Sequence, residues 1–125
     1  CNVGYFTLAE IIRKVSGQSW GDFLTERIFK PSGMNATRTT NFSEIIPNRA
    51  NAYSLQNGKL QNAEVYLALR PSGAFLSTVS DLAKWEATLH TSKFLTAETR
   101  KVMWTPFKFN DGKDSVYGLG WRIDE

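Results

Sequence analysis

Two polar residues at the start of the chain, Cys1 and Asn2, have side chains that could act on a substrate. An N-terminal cysteine with its own amine as base is a known nucleophile, so an N-terminal Cys amidase is one hypothesis. Such amidases are built on stacked β-sheets, whereas this chain is mostly helical, and we therefore expect Cys1 to be a small buried residue. Asn2 offers an amide that could bind a substrate carbonyl, although asparagine is also a common helix N-cap.

The other ionisable residues indicate structural roles. One Cys and one His exclude an internal disulfide and argue against a Cys/His zinc site, so we predict no metal and no cofactor. His90 falls near the end of a predicted helix, where a cation suits the helix dipole, and is interpreted as a surface or capping residue. Five carboxylates on predicted helix faces or caps are expected to be solvated or capping; these are Glu10, Asp22, Glu26, Asp81 and Glu86.

Size and charge narrow the class of protein. The chain has 125 residues, which is one domain or a piece of one, and 42% apolar residues can form a core. No apolar run approaches the about 20 residues that a membrane span needs. The net charge is +3, but the 15 basic residues are scattered among 12 acidic ones. A nucleic-acid-binding module would need a concentrated basic stripe, so it stays an alternative and we predict no nucleic-acid partner.

The first predicted helix carries an apolar stripe at helical spacing. It covers residues 7–16 with Thr7 and Glu10 as a capping box, or begins earlier, at Asn2 or Val3. We expect the stripe to face the core. Its members are Leu8, Ile11, Ile12 and Val15.

A glycine corner leads to the second helix. Gly17 is the expected left-handed stop of the first helix, Ser19 is the next N-cap, and Pro31 ends the second helix. The stripe that should be buried here consists of Trp20, Phe23, Leu24 and Ile28.

Two more helices are predicted in the second half of the chain. The third follows Thr78 or Ser80 as its N-cap, and the fourth runs from Thr96 to Met103. We expect the third helix to turn an apolar face to the core, made of Val79, Leu82, Ala83, Trp85 and Leu89.

The extended segments are short. Asn57-Gly58 predicts a two-residue hairpin turn between residues 52–55 and 59–60. Residues 65–76 suggest a buried bend that Gly73 permits, and residues 116–123 alternate enough to predict a C-terminal strand.

An ordered set of short motifs runs along the chain and resembles the middle of the serine β-lactamase-like family, which includes class C β-lactamases, penicillin-binding DD-peptidases and related esterases. The resemblance covers essentially all 125 residues. It implies an α/β (α+β) fold class, a helix-rich segment of a β-lactamase/transpeptidase-like fold with about four helices, a short β-hairpin and a C-terminal strand. Residues 1–125 would be the central portion of one such domain. The motifs are Ile28-Phe29-Lys30-Pro31, Gly33-Met34, Pro71-Ser72-Gly73-Ala74, Leu76-Ser77-Thr78, Asp81-Leu82-Ala83-Lys84-Trp85 and Tyr117-Gly118-Leu119-Gly120-Trp121.

The resemblance also implies roles for the first two residues. Three motifs line the site of that family: Ser-x-x-Lys, Tyr-x-Asn, and Lys-Thr-Gly or His-x-Gly. Cys1 and Asn2 would be the last two residues of Tyr-x-Asn, which makes Asn2 a substrate-binding amide and Cys1 a site-lining residue. The 125 residues contain no Ser-x-x-Lys, Lys-Thr-Gly or His-x-Gly. We therefore assign no catalytic residue in the chain and expect the segment alone to be inactive.

By resemblance, the parent protein would be a serine hydrolase that forms an acyl-serine intermediate on an amide, lactam, peptide or ester, without a metal. Its partner would be a small-molecule or peptide substrate, and its location periplasmic, secreted or cell-surface. Two alternatives stay open: a catalytically inactive scaffold or binding module with the same fold, and the N-terminal Cys amidase. The sequence leaves the substrate and the oligomeric state open.

Overall fold

The computed structural model describes residues 1–39, 43–63, 71–73 and 75–123, and the chain divides into two compact units, Cys1–Leu82 and Ala83–Glu125. The α-helices are α1 (Asn2–Ser16), α2 (Trp20–Leu24), α3 (Val79–Leu89) and α4 (Ala97–Met103), and a π-helical turn, Thr25–Phe29, continues α2. The strands are β1 (Arg38–Thr39), β2 (Tyr53–Gln56), β3 (Lys59–Asn62) and β4 (Phe75–Leu76). The predicted mixed fold with four helices and a short hairpin is confirmed.

Helix α1 begins at Asn2, the earlier of the predicted starts. Thr7 therefore lies inside the helix, and its hydroxyl donates back to the carbonyl of Val3 at 3.1 Å. Glu10 forms an ion pair with Arg13 at 2.8 Å on the exposed surface. The predicted capping box is wrong, because a residue within the helix has no free first-turn N–H group to cap.

The corner after α1 ends the first helix at Gly17 and caps the second helix with Ser19, as predicted. Gly17 has φ 74°, and its N–H group closes the last turn of α1 at 2.9 Å. Ser19 caps α2 by accepting from the N–H group of Asp22 at 3.1 Å, and its hydroxyl donates to the same residue's carboxylate at 2.6 Å. The Gln18 side chain donates to Glu26 at 2.6 Å. Together these bonds end α1 and cap the start of α2.

The π-helical turn changes which side chains share a face of the second helix. Trp20 and Phe29 are nine residues apart, which in a regular helix of about 100° per residue would place them on opposite sides. The wider turn takes up one extra residue, so the separation falls to about 80°. Both rings meet Phe75 edge-on, with centroid distances of 5.2 and 5.4 Å. This aromatic cluster is the centre of the first unit, where Phe29 is buried.

Two small antiparallel pairs complete the first unit. The β2–β3 hairpin turns at Asn57-Gly58, which confirms that prediction. The β1–β4 pair places Thr39 opposite Phe75. No strand is predicted at β1 from the sequence, because a two-residue strand has no alternation to detect.

The bend expected over residues 65–76 is visible in part. Residues 71–73 form a turn in which Gly73 has φ 154°, whereas residues 65–70 and 74 lie outside the described residues.

The apolar stripe predicted for α1 is mostly uncovered. Leu8, Ile11 and Val15 are 53%, 51% and 83% exposed, and only Ile12 of the four is half-buried. The buried residue of α1 is Ala9, on the neighbouring side of the helix. The prediction of a buried stripe is wrong here because periodicity shows which face is apolar but not which element covers it.

The apolar face predicted for α3 is also exposed at the beginning of the helix. Thr78 is its N-cap, as predicted, and its hydroxyl accepts from a first-turn N–H group at 3.2 Å. Val79 and Leu82 are 85% and 54% exposed, and Ala83 is exposed as well. Towards the end of the helix, Leu89 is buried.

The predicted C-terminal strand is wrong in the described part, residues 116–123. Tyr117 and Arg122 form one isolated antiparallel bridge instead of a continuous ladder. Between them the N–H group of Gly118 donates to the carbonyl of Trp121 at 2.8 Å, and the glycine next to that tryptophan has φ 84°. The segment therefore folds back on itself, because the left-handed backbone of Gly120 permits a tight turn where a strand would need an extended residue.

Candidate functional site

Cys1 and Asn2 lie together at the N-terminal end of α1. Cys1 is the N-cap, makes no side-chain capping bond, and carries a free, exposed thiol. The expectation that Cys1 is buried is therefore wrong, because a residue that precedes the first helical turn can be buried only by another element. Asn2 is the first helical residue and is exposed, so its interpretation as an N-cap is wrong by one position.

Helix α1 carries Asn2 at the end away from the glycine corner. At about 1.5 Å per residue, the helix places Asn2 about 21 Å from Ser16. At the corner, α1 packs against α2. Asn2 therefore belongs to a continuous helix whose far end is anchored.

The chemistry that Asn2 and the first-turn N–H groups of α1 can supply is hydrogen bonding. The first-turn N–H groups of a helix have no partner within the helix, and the helix dipole makes this end partly positive. No acidic residue occurs in the first turn of α1. The Asn2 amide can both donate and accept, so these groups can orient a carbonyl or amide. They cannot supply an activated nucleophile, which needs a base within hydrogen-bond reach.

Asp81, which the sequence assigns to a solvated or capping role, is the most buried polar residue of the described chain. It is 2% exposed, and its carboxylate accepts from the N–H group of Ala36 at 2.7 Å and from the hydroxyl of Thr37 at 3.0 Å. The Thr37 hydroxyl lies 2.8 Å from that of Ser77. Asp81 follows the N-cap Thr78 by three residues, the spacing of a capping box, and this local pattern hides its long-range role.

The other candidates lie on the surface, as predicted. His90 pairs with Glu86 at 2.7 Å, and both side chains are about two-thirds exposed. Asp22 bonds to the N-cap Ser19, and Glu26 accepts from Gln18.

Described residues line a sizeable cavity in each of the two units. One of about 580 Å³ in the second unit is walled by residues that include Phe107, Tyr117 and Leu119, and one of about 450 Å³ in the first unit includes Arg49 and Leu76. Neither Cys1 nor Asn2 lines them. Among the residues that the structure describes, no three His, Cys, Asp or Glu side chains group as metal ligands, and no helix is long and apolar enough to cross a bilayer.

The fold is that of a segment of a β-lactamase/transpeptidase-like domain, and the chain belongs to the Beta-lactamase family, whose model matches residues 1–125. Penicillin-binding protein 4* of Bacillus subtilis (strain 168) is 30% identical over 137 residues, covering 98% of this chain and 30% of that protein. The D-aminopeptidase of Brucella ovis is 26% identical, covering 100% of this chain and 24% of that protein. An octameric penicillin-binding protein homologue from Pyrococcus abyssi superposes with a TM-score of 0.73 at 29% identity, covering 95% of this chain and 28% of that one.

These matches confirm the family that the ordered motifs predicted. They also show that the chain spans only 24% to 30% of the length of the relatives named above.

Proposed function

We propose that the whole protein carrying this chain is a serine hydrolase that acts on an amide bond, in a lactam, a peptide or an aminoacyl amide, through an acyl-serine intermediate. The observation that carries this proposal is the family match along all of residues 1–125, together with relatives named as a penicillin-binding protein and a D-aminopeptidase. An ester is a further substrate of the same chemistry.

In the proposed reaction a serine oxygen attacks the substrate carbonyl carbon, the C–N bond breaks, and the amine leaves with a proton. Water then releases the acid and restores the serine. Asn2 would hold the substrate during attack, with its side-chain amide hydrogen-bonded to an amide or carbonyl group beside the reacting bond. Its exposure at the first turn of α1 supports this role, since a buried amide could not reach a substrate.

The test compares the whole protein with its Asn2→Ala variant on nitrocefin, a D-alanyl anilide and a nitrophenyl ester. A hydrogen bond to a neutral amide or carbonyl group contributes about 0.5–1.5 kcal/mol, so we expect kcat/KM to fall about twofold to tenfold. Asn62→Ala is the matched control, because Asn62 is an exposed asparagine at the end of the hairpin. Since alanine is a good helix former, the first change should leave thermal stability unaltered.

Intact-mass spectrometry after incubation with benzylpenicillin separates the enzyme from an inactive scaffold. A covalent adduct of the whole penicillin mass supports acyl-serine chemistry, and the absence of both adduct and turnover would refute it. Turnover that disappears with Cys1→Ala and persists in the Asn2 variant would instead support the N-terminal Cys amidase.

A further inference from the structure

The cavity of about 450 Å³ in the first unit combines apolar walls with hydrogen-bond donors. Its volume lies in the range of small-molecule sites, roughly 300–1,000 Å³. The apolar part includes Ile46, Pro47 and Leu76, and the polar part includes Asn48, Arg49 and Thr78.

Arg49 is the charged group of this cavity. It is half-buried, and its backbone N–H group donates to the carbonyl of Ile46 at 3.4 Å. Its guanidinium forms neither an ion pair nor a hydrogen bond with a described residue. By contrast, the side chains of Arg13, Arg38 and Arg100 all donate to protein oxygens. A guanidinium stays charged and prefers a carboxylate that accepts two parallel hydrogen bonds. The Arg49 guanidinium is therefore available to bind an anion.

Thr78 adds an oriented hydroxyl to the same cavity. Its oxygen already accepts from the N–H group of Asp81 at 3.2 Å, which fixes the rotamer. Its own proton has no acceptor among the described residues and can be donated to a ligand. Asn48, at φ 58° in the turn before Arg49, contributes a further exposed amide.

The negative charge of the nearby Asp81 carboxylate would repel a bound anion, but this carboxylate already accepts hydrogen bonds from the protein. It is 2% exposed, and one of its oxygens accepts from both Ala36 and Thr37. These donors offset its charge within the protein, so the charge exposed to a ligand in the cavity is that of Arg49.

We propose that this cavity binds a small carboxylate with a short apolar body. The carboxylate would accept from Arg49 and Thr78, and the body would lie against Ile46, Pro47 and Leu76. The two halves of such a ligand match the two halves of the lining, and a neutral ligand of equal shape would lose the charge-assisted bonds.

The test titrates hexanoate into the whole protein by isothermal calorimetry, with hexanamide as the neutral ligand of the same shape. Arg49→Gln should weaken hexanoate binding at least about tenfold, since charge-assisted bonds are roughly twice as strong as neutral ones. Ala50→Met, which fills the cavity and keeps every charge, should abolish binding. The control is Lys59→Gln, because it removes the same net charge from an exposed hairpin position and should leave the affinity unchanged.

Three results would overturn the proposal. They are a failure of hexanoate to saturate the wild-type protein, equal binding of hexanamide, and a loss of affinity in the Lys59→Gln control as large as that in Arg49→Gln. If Arg49→Gln lowers the melting temperature without ligand while hexanoate does not bind, the partner of Arg49 is a carboxylate of the protein itself, and the ligand site is refuted.

Discussion

Replacing Asp81 by alanine should destabilise the protein more than the same replacement of any surface Asp or Glu. Among the described residues, the change removes the acceptor of hydrogen bonds from the Ala36 N–H group at 2.7 Å and the Thr37 hydroxyl at 3.0 Å. A bond to a charged group contributes about 1.5–3 kcal/mol, but Thr37 keeps Ser77 as a second partner at 2.8 Å. The loss is therefore dominated by the backbone donor, and we expect the free energy of unfolding to fall by about 3 kcal/mol.

Urea unfolding followed by tryptophan fluorescence measures this loss as a shift of the midpoint at constant slope. Asp111→Ala is the control, because that carboxylate pairs with Lys113 in an exposed turn and should change stability by less than about 0.5 kcal/mol. Asp81→Asn retains one acceptor oxygen and should fall between the two. A loss below about 1 kcal/mol for Asp81→Ala, or one equal to that of the control, would refute the conclusion that Asp81 links α3 to residues 36 and 37.

Two further predictions concern a carboxylate and a close backbone contact. The hydrogen bond from Arg13, followed by its charge, lowers the pKa of Glu10, so the ion pair's contribution is present above the unfolded-state pKa and disappears as the pH falls through the folded-state value. Carboxyl NMR titration should show the pKa of Glu10 returning towards its ordinary value in Arg13→Gln. The pKa of Glu98, which is lowered by that residue's own N–H group and by Thr96, should not change in this variant. Equal changes in both pKa values would contradict the conclusion that Arg13 is the local cause. Gly118→Ala should cost about 1–3 kcal/mol, because the added Cβ would lie 2.5 Å from the Met103 carbonyl oxygen. Gly4→Ala, in an open helical position, should instead stabilise by about 0.5–1 kcal/mol, and thermal melts that show the same sign for both would count against this close contact.

The elements that the sequence predicts well are those whose hydrogen bonds close within a few residues. Gly17 and Ser19 mark one helix end and the next helix start by their own backbone and hydroxyl chemistry, and Asn57-Gly58 does the same for the hairpin. The family was predicted because its short motifs occur in the same order along this chain. Asn2 as a substrate-binding residue stays a prediction, since its role depends on a substrate.

The predictions that failed concern what lies against each element. The apolar periodicity of α1 identifies Leu8 and Val15 as one face, but Ala9 is the residue that becomes buried. The alternation of residues 116–123 suggests a strand, but the hydrogen bond from Gly118 to Trp121 turns the chain before a ladder can form.

What the sequence by itself determined is therefore the set of helices, the corner at Gly17 and Ser19, the hairpin and the family. Only the tertiary structure decided that Asp81 is buried, since its backbone partner Ala36 is 45 residues away and no local pattern reports such a contact. It also decided that Arg49 lies half-buried in a cavity beside Thr78, and that a π-helical turn brings Trp20 and Phe29 onto the same ring. The reason is physical: caps and turns satisfy nearby backbone groups, whereas burial depends on which distant surface arrives to exclude water.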